Sequence, residues 1–248
     1  MINMHLNFSK MHGLGNDFVI IDQRDKNNTT LSARQIRHIA DRNFGIGCDQ
    51  LILVQTTEKA DAEILIFNAD GSTADACGNA TRCVAKLIGL PMAKILVAGR
   101  ILNTKLHDNG EVAVNMGKAD VKKKQDLPGI CVEIGNKHLV ILGRDTTYDN
   151  DQGREIIRKF SGNYNINFAQ ILSQKEIILE VWERGAGRTL ACGSGACATF
   201  AAAREEGLID DGVEIKLPGG RLHISENDEN EIIMTGAATL VFTGEIRL

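Results

Sequence analysis

Aromatic side chains are scarce in this chain, at 4% of residues, so any core must be built from aliphatic side chains. Basic residues are not in excess: Lys and Arg number 28 against 32 Asp and Glu, for a net charge of −4. That balance argues against a dedicated nucleic-acid binder. No apolar run approaches the ~20 residues of a membrane span. Met1 to Lys10 mixes Asn, His and Lys with single apolar residues and lacks the apolar stretch of a secretory signal, so a cytoplasmic protein is expected. The six cysteines include no Cys-x2-Cys pair, which argues against a zinc site, and a reducing compartment argues against a disulfide framework. Free thiols and no metal are therefore expected. What remains is ordinary for a soluble globular protein, with 43% hydrophobic and 24% charged residues. At 248 residues the chain suits one large domain or two small ones.

The chain contains a long internal repeat. Leu14-Gly-Asn-Asp-Phe-Val-Ile20 resembles Ile134-Gly-Asn-Lys-His-Leu-Val140. At the same spacing, Asn43 to Ile52 lines up with Asn163 to Leu172, so that Gln50 meets Gln170 and Cys48 meets Phe168. A five-residue deletion then brings Ala76-Cys-Gly-Asn79 onto Ala191-Cys-Gly-Ser194. Three blocks in one order, with a period near half the chain, indicate a duplicated domain rather than a solenoid. The copies meet near residues 115–120.

Each half alternates short apolar strands with two helices. Strands are expected at 18–22, 51–54, 64–67, 95–97 and 112–115, then at 139–142, 169–172, 177–182, 213–217, 232–235 and 239–242. Ser32 to Asn43 has a capping residue in Ser32, Gln35 in the capping-box position and an apolar stripe of Ile36, Ile39 and Ala40. Asp149 to Phe160 is its counterpart. The stretches after Cys77 and Cys192 also read as helices, rich in small residues. Strands dominate and connections are short, so an α+β fold with mostly antiparallel pairing is expected rather than a Rossmann sheet.

Cys77 and Cys192 would each sit where a glycine turn enters a helix. Unpaired N–H groups and the helix dipole favour negative charge there, which should lower a thiol pKa and can also bind a carboxylate. Two equivalent thiols from two halves suggest a two-faced site. A carbon held between them could lose a proton to one and gain a proton from the other, inverting its configuration with no cofactor. The rate should then follow a bell-shaped pH profile belonging to the pair. Cys83 and Cys197, further along the same helices, read as core, and so does Cys48. Cys131 has no special context. Arg82 and Lys86 read as a solvated helix face.

These residues carry a family resemblance. Lys10-Met-His-Gly-Leu-Gly-Asn-Asp-Phe18, Gly45-Ile-Gly-Cys-Asp-Gln-Leu51, Phe67-Asn-Ala-Asp-Gly-Ser72, Cys77-Gly-Asn79 and Glu183-Arg-Gly-Ala-Gly187 with Ala191-Cys-Gly-Ser-Gly-Ala-Cys-Ala198 resemble the diaminopimelate epimerases. The blocks span nearly the whole chain in the family's order. The resemblance implies interconversion of L,L- and meso-diaminopimelate, in lysine and cell-wall precursor synthesis, by a cofactor-independent enzyme that is usually a homodimer. It implies two pseudo-symmetric domains, each a sheet wrapped round a central helix. These would be residues 1–117, completed by a last strand at 237–248, and residues 118–236, with the site in the cleft between them. By position, Cys77 and Cys192 are the proton donor and acceptor. Gly78 with Asn79, and Gly193 with Ser194, supply donors to the carboxylate beside the reacting carbon. Asn16, Gln50, Asn68, Asn136, Asn165, Glu183 and Arg184 match substrate-binding positions. His138 and Glu183 match positions near the reacting amine that orient it or tune the thiols.

The chain departs from the family pattern at Lys137, commonly Pro, and at Asn167, commonly Gly. It is also shorter around 118–135, a stretch read here as a connector. Two other functional classes fit parts of the pattern. A proline- or hydroxyproline-type racemase would share the cysteines without needing Glu183, Arg184 and Asn68 for a distal amino-carboxylate. A thiol redox protein would join Cys77 to Cys192, without the Cys-x-x-Cys motif usual for that chemistry.

Overall fold

In a computed structural model, residues 5–25, 30–74, 77–144 and 146–248 are described. Ala76, the first residue of a repeat block, lies outside them. The chain divides into two compact units, Met1–Val114 with Ala237–Leu248, and Asn115–Gly236.

The first unit contains β1 (His5–Gly13), β2 (Asn16–Asp22), α1 (Ala33–Ala40), β3 (Gln50–Gln55), β4 (Ala62–Asn68), β5 (Thr73–Ala74), α2 (Gly78–Ile88), β6 (Met92–Val97), β7 (Arg100–Leu106) and β8 (Val112–Gly117), which leads out of the unit. The second contains β9 (Asp120–Lys123), β10 (Ile130–Ile134), β11 (Asn136–Gly143), α3 (Asp151–Phe160), β12 (Asn165–Ser173), β13 (Glu176–Glu183), β14 (Gly187–Thr189), α4 (Gly193–Glu205), β15 (Gly212–Leu217), β16 (Gly220–Glu226) and β17 (Ile232–Gly236). The last strand, β18 (Thr239–Arg247), pairs antiparallel with β1 in the first unit.

Parallel ladders join β2 to β3 and β4 to β6, and likewise their counterparts β11 to β12 and β13 to β15, while successive hairpin strands pair antiparallel. Within each unit one strand edge is shared by two partners. Ile66 and Phe67 of β4 pair with β5, while Ala62 to Ile64 pair with β6. Between those two partners the chain forms α2. In the second unit β13 divides in the same way between β14 and β15, and α4 lies between them. The sheet of each unit wraps its central helix: α2 touches β1, β2, β6 and β7, and α4 touches β9 to β12, β16 and β17. This is the α+β, sheet-round-helix architecture expected from the sequence.

The central helices can be enclosed because their side chains are small. Ala80, Val84 and Ala85 are buried on α2, as are Ala196, Ala198, Ala202 and Ala203 on α4. Cys83 and Cys197 are wholly buried there, and burial pushes the Cys83 thiol up to about 12. Cys48 is buried too, its thiol pushed up to about 11, which suits packing. The outer helices follow their apolar stripes. Ile36, Ile39 and Ala40 of α1 pack on Val19, Ile21, Leu51 and Leu53. Ile156 of α3 packs on Leu139, Ile141, Ile166 and Phe168. Ser32 forms the full capping box with Gln35. The helix ends at Ala40, short of Asn43, because the Asp41 carboxylate accepts the N–H groups of Asn43 and Phe44 at 2.7 and 2.9 Å and turns the chain.

The chain then folds back on α1. A Cβ on Gly45 would lie 1.9 Å from the His38 carbonyl oxygen and 2.8 Å from that of Ile39. Both obstacles are backbone, so they cannot swing aside. Gly45→Ala is expected to lower stability by roughly 2–4 kcal/mol. Gly89→Ala, at a helix end with open space around it, should cost only about 1 kcal/mol for its left-handed backbone. Urea unfolding of the two variants side by side checks this ranking, and equal losses would contradict it.

Three expectations are corrected. Residues 118–135 are not a bare connector, since they hold β9 and β10, which start the second unit's sheet. Arg82 is not solvated: it is 0% exposed, and its Nε donates to the Ala237 carbonyl at 3.3 Å. The middle repeat block is also five residues out of register. Phe18 faces Gln50 across β2–β3, and His138 faces Asn165 across β11–β12. The counterpart of Gln50 is therefore Asn165, not Gln170, and the deletion falls before β3 and β12.

Candidate active site

In the first unit Cys77 is the extended residue capping α2, and Gly78 and Asn79 open the helix. Thr81 is the first residue whose N–H returns to a helix carbonyl, that of Cys77 at 3.0 Å. The amides of residues 78–80 precede the first intrahelical acceptor. The Cys77 thiol donates to Asn16 Oδ1 at 3.6 Å, and Asn79 Nδ2 donates to the same oxygen at 3.2 Å. Asn16 is held in turn, its Nδ2 donating to Asp49 Oδ2 at 2.9 Å.

Next to Asn16, in the hairpin formed by β1 and β2, is an ion cluster that sequence reasoning missed. Asp17 accepts from Lys10 and from Arg42, and Arg42 also reaches Asp49. Burial alone would raise the Asp17 carboxyl, but the hydrogen bonds from Arg42 and Lys10 outweigh it and hold the pKa at about 2. Gln50 and Asn68 face each other across β3–β4, where Gln50 Nε2 donates to Asn68 Oδ1 at 3.0 Å. Asn68 Nδ2 donates on to Ser72 Oγ at 3.0 Å. Both amides are thus pre-aimed by fixed partners.

In the second unit Cys192 caps α4 and is 5% exposed, with Gly193 and Ser194 opening the helix. Its sulfur lies 3.6 Å from Ser194 Oγ and faces the Gly195 N–H and the Glu183 carboxylate. A Cβ on Gly195 would come within 3.2 Å of that sulfur and 3.3 Å of Asn167 Nδ2, so glycine here leaves room for both. The expected low thiol pKa is not found at Cys192. Burial, and after it the Glu183 carboxylate, raises it well above the ordinary thiol value. Desolvation of the thiolate outweighs the helix start.

His138 is buried with both ring nitrogens engaged. Nδ1 lies 3.1 Å from Asn167 Oδ1 and Nε2 lies 3.1 Å from Ser194 Oγ. Burial lowers its pKa to about 4, so the ring is neutral at pH 7. Those two contacts fix the ring's aim although Lys137 beside it is exposed. Glu183 accepts from Thr189 Oγ1 at 2.5 Å, and Asn165 Oδ1 accepts the Arg184 N–H at 2.8 Å. Asn136 and Arg184 are exposed. Cys192, His138 and Asn167 are buried by contrast, and Ser194 is half-buried.

The site groups thus collect at the mouths of matching ladders in each unit. Each unit presents a cysteine-headed helix, amide side chains and helix-start N–H groups. The second adds a carboxylate, an imidazole and a guanidinium. Asn167 is the residue whose importance was not legible. The sequence marked it only as a departure from the family pattern, because the strand holds other polar residues and the partners of Asn167 are distant along the chain.

The fold is shared with solved structures of other proteins. A phenazine biosynthesis protein from Bacillus anthracis superposes with a TM-score of 0.72 at 16% identity, over 98% of this chain and 99% of its own. A hydroxyproline epimerase from Agrobacterium vitis superposes with a TM-score of 0.73 at 12% identity, over 98% and 93%. These likenesses place the chain, built from two duplicated units, in a fold shared by several kinds of protein. The family model for diaminopimelate epimerase matches residues 8–122 and 130–241. Diaminopimelate epimerase from Rickettsia felis is 41% identical over 97% of both chains, and that from Rhizorhabdus wittichii is 41% identical over 99% of this chain and 97% of its own. The chain belongs to the diaminopimelate epimerase family.

Proposed function

We propose that this chain interconverts L,L- and meso-diaminopimelate in lysine biosynthesis, with Cys77 and Cys192 as its two proton-transfer groups. The carrying observation is that these cysteines cap the two central helices at equivalent positions of duplicated units. In one direction a thiolate takes the α-proton and becomes a thiol as the Cα–H bond breaks. The electron pair passes into the adjacent carboxylate. The other thiol then gives its proton to the opposite face of the carbon and becomes the thiolate. Protons and charge balance without an external acceptor. Amides of Gly78, Asn79, Gly193 and Ser194 suit the carboxylate as it gains negative charge, the fixed-donor arrangement that lowers such barriers.

Asn16, Gln50, Asn68, Asn136 and Asn165 supply donors and acceptors for the zwitterionic ends. Arg184 can fork onto a carboxylate, and Glu183 can hold an ammonium. His138 and Glu183 tune the thiols and orient the reacting amine. Both thiols act only when reduced, which suits the cytoplasm. We also propose a homodimer. Leu240, Val241 and Phe242 of β18 are exposed and give a second copy an apolar strip to cover.

The test is incubation of L,L-diaminopimelate with the reduced enzyme in deuterated water. Deuterium at one α-carbon with appearance of the meso isomer is expected. Exchange into proline or another amino acid, but not into diaminopimelate, would keep the mechanism and move the substrate.

A further inference from the structure

The polar array behind Cys192 has a direction that can be read from its donors. Asn167 Nδ2 donates to the Gly195 carbonyl at 2.7 Å and to Thr199 Oγ1 at 3.0 Å. A reversed amide would set its oxygen against the Gly195 carbonyl oxygen, so Oδ1 is the atom facing His138. An amide oxygen only accepts. His138 Nδ1 therefore carries the ring proton, the less common neutral tautomer in water. With the ring neutral, Nε2 has a lone pair and takes the single hydroxyl proton of Ser194. Ser194 then turns only lone pairs towards Cys192, whose S–H is left as the donor.

The other unit lacks this array. Because Asn165 is the counterpart of Gln50, Asn167 corresponds to Ile52, and His138 corresponds to Phe18. Counting from the two cysteines, Thr199 corresponds to Val84. Phe18, Ile52 and Val84 cannot relay a hydrogen bond. All three are buried. The duplication has kept two thiols but given only one of them this support.

We propose that Asn167 is a positioning residue for Cys192: by fixing the tautomer of His138 it turns the Ser194 hydroxyl away from the sulfur and holds Cys192 as the thiol until its proton is used. The neighbouring Glu183 carboxylate acts in the same sense and the Gly195 N–H opposes it; the Ser194 contact would lower the thiol only with its hydroxyl donating to the sulfur, the direction that His138 takes away. Once the proton has gone, Ser194 must rotate towards the thiolate and leave Nε2 without a donor, which favours return to the thiol. Cys192 is thus the resting acid of the pair. The consequence for turnover rests on the two-thiol reading above, whereas the polarity of the array does not.

Two measurements test it without substrate. In protein labelled with ¹⁵N-histidine, with the His138 signals assigned by their loss in His138→Gln, the ring nitrogens should show neutral imidazole protonated at Nδ1. Asn167→Ala removes the acceptor, so the ring should change to the Nε2–H form. Ser194 then accepts from His138 and donates to Cys192. Iodoacetamide should modify Cys192 at pH 8 at least about threefold faster in this variant, because the thiolate is the reactive form. Cys197, buried on the same helix, should stay unmodified, which separates this effect from loosening of the fold. Turnover should fall by about tenfold, chiefly in kcat.

A wild-type ring protonated at Nε2 would overturn the proposal, and so would an unchanged tautomer and Cys192 reactivity in Asn167→Ala. Should Asn167→Ala fail to fold, the wild-type tautomer alone decides. An Nδ1–H ring with the altered reactivity, in a protein that does not act on diaminopimelate, would defeat the substrate reading and leave this inference standing.

Discussion

Alanine at position 77 or 192 is expected to lower conversion of L,L- to meso-diaminopimelate by about 10³-fold or more, near the upper range for loss of a proton-transfer group. The size follows from the stereochemistry. Inversion needs a proton removed from one face and a proton added at the other, and a protein with one thiol can serve only one face. Cys77→Ala loses one partner and Cys192→Ala loses the other, so both should fail at net inversion although they disturb different units. The structural cost is small. Each change deletes one sulfur at a helix cap and leaves the helix's first hydrogen bonds, Thr81 to Cys77 and Ala196 to Cys192, in the backbone. Isomer analysis by chromatography, with thermal unfolding of the same samples, separates chemistry from folding. A variant that folds normally and keeps more than about a tenth of the rate would remove that cysteine from the mechanism.

The second large effect is on stability at acid pH. His138 titrates near 4 in the folded protein and at its ordinary 6.5 when unfolded, because burial disfavours the charged ring. Between those values the unfolded chain binds a proton that the folded one does not. Stability therefore falls as pH drops below 6.5, and the loss is complete near pH 4. The shift corresponds to roughly 3 kcal/mol. Asp17 acts in a different window. Its carboxyl, held at about 2 by Arg42 and Lys10 against the raising effect of burial, sacrifices stability only as pH falls below its ordinary 3.8. Urea unfolding at pH 7, 5.5 and 4.5 should show the His138 loss, and His138→Gln should flatten it. Constant stability across that range would mean that the folded ring is protonated with little penalty.

Much of the site was legible because its residues carry strong local signals. A cysteine followed by glycine and then by small residues announces a buried helix with a thiol at its start, and both such helices are found. Ser32 and Gln35 mark a helix start by hydrogen bonds made within a few residues. What was not legible depends on partners distant in sequence. β1 hides in His5–Gly13 because its alternation includes Lys10, whose ammonium is neutralised by Asp17 from the adjoining strand. Arg82 looked solvated because arginine usually is, yet its Nε meets the backbone at Ala237, in the last segment of the chain. The repeat register slipped because Gln50 resembles Gln170 in sequence, whereas the parallel ladder matches Gln50 with Asn165. The charge state of Cys192 was misjudged for a related reason: helix geometry can be read locally, but desolvation depends on everything packed around the sulfur.

Strand β18 holds the place beside β1 that β9 holds beside β10. Each of these strands follows the last strand of the other unit: β9 comes after β8, and β18 comes after β17. Every half of the polypeptide thus completes the sheet it did not begin. This is the connectivity of a strand-swapped dimer whose two identical subunits have been spliced end to end. A half-length chain of the same pattern would leave its first strand uncovered and its last strand unpaired until it met another copy. For such an ancestor, association and folding would have been a single event, and gene fusion would have made that association independent of concentration.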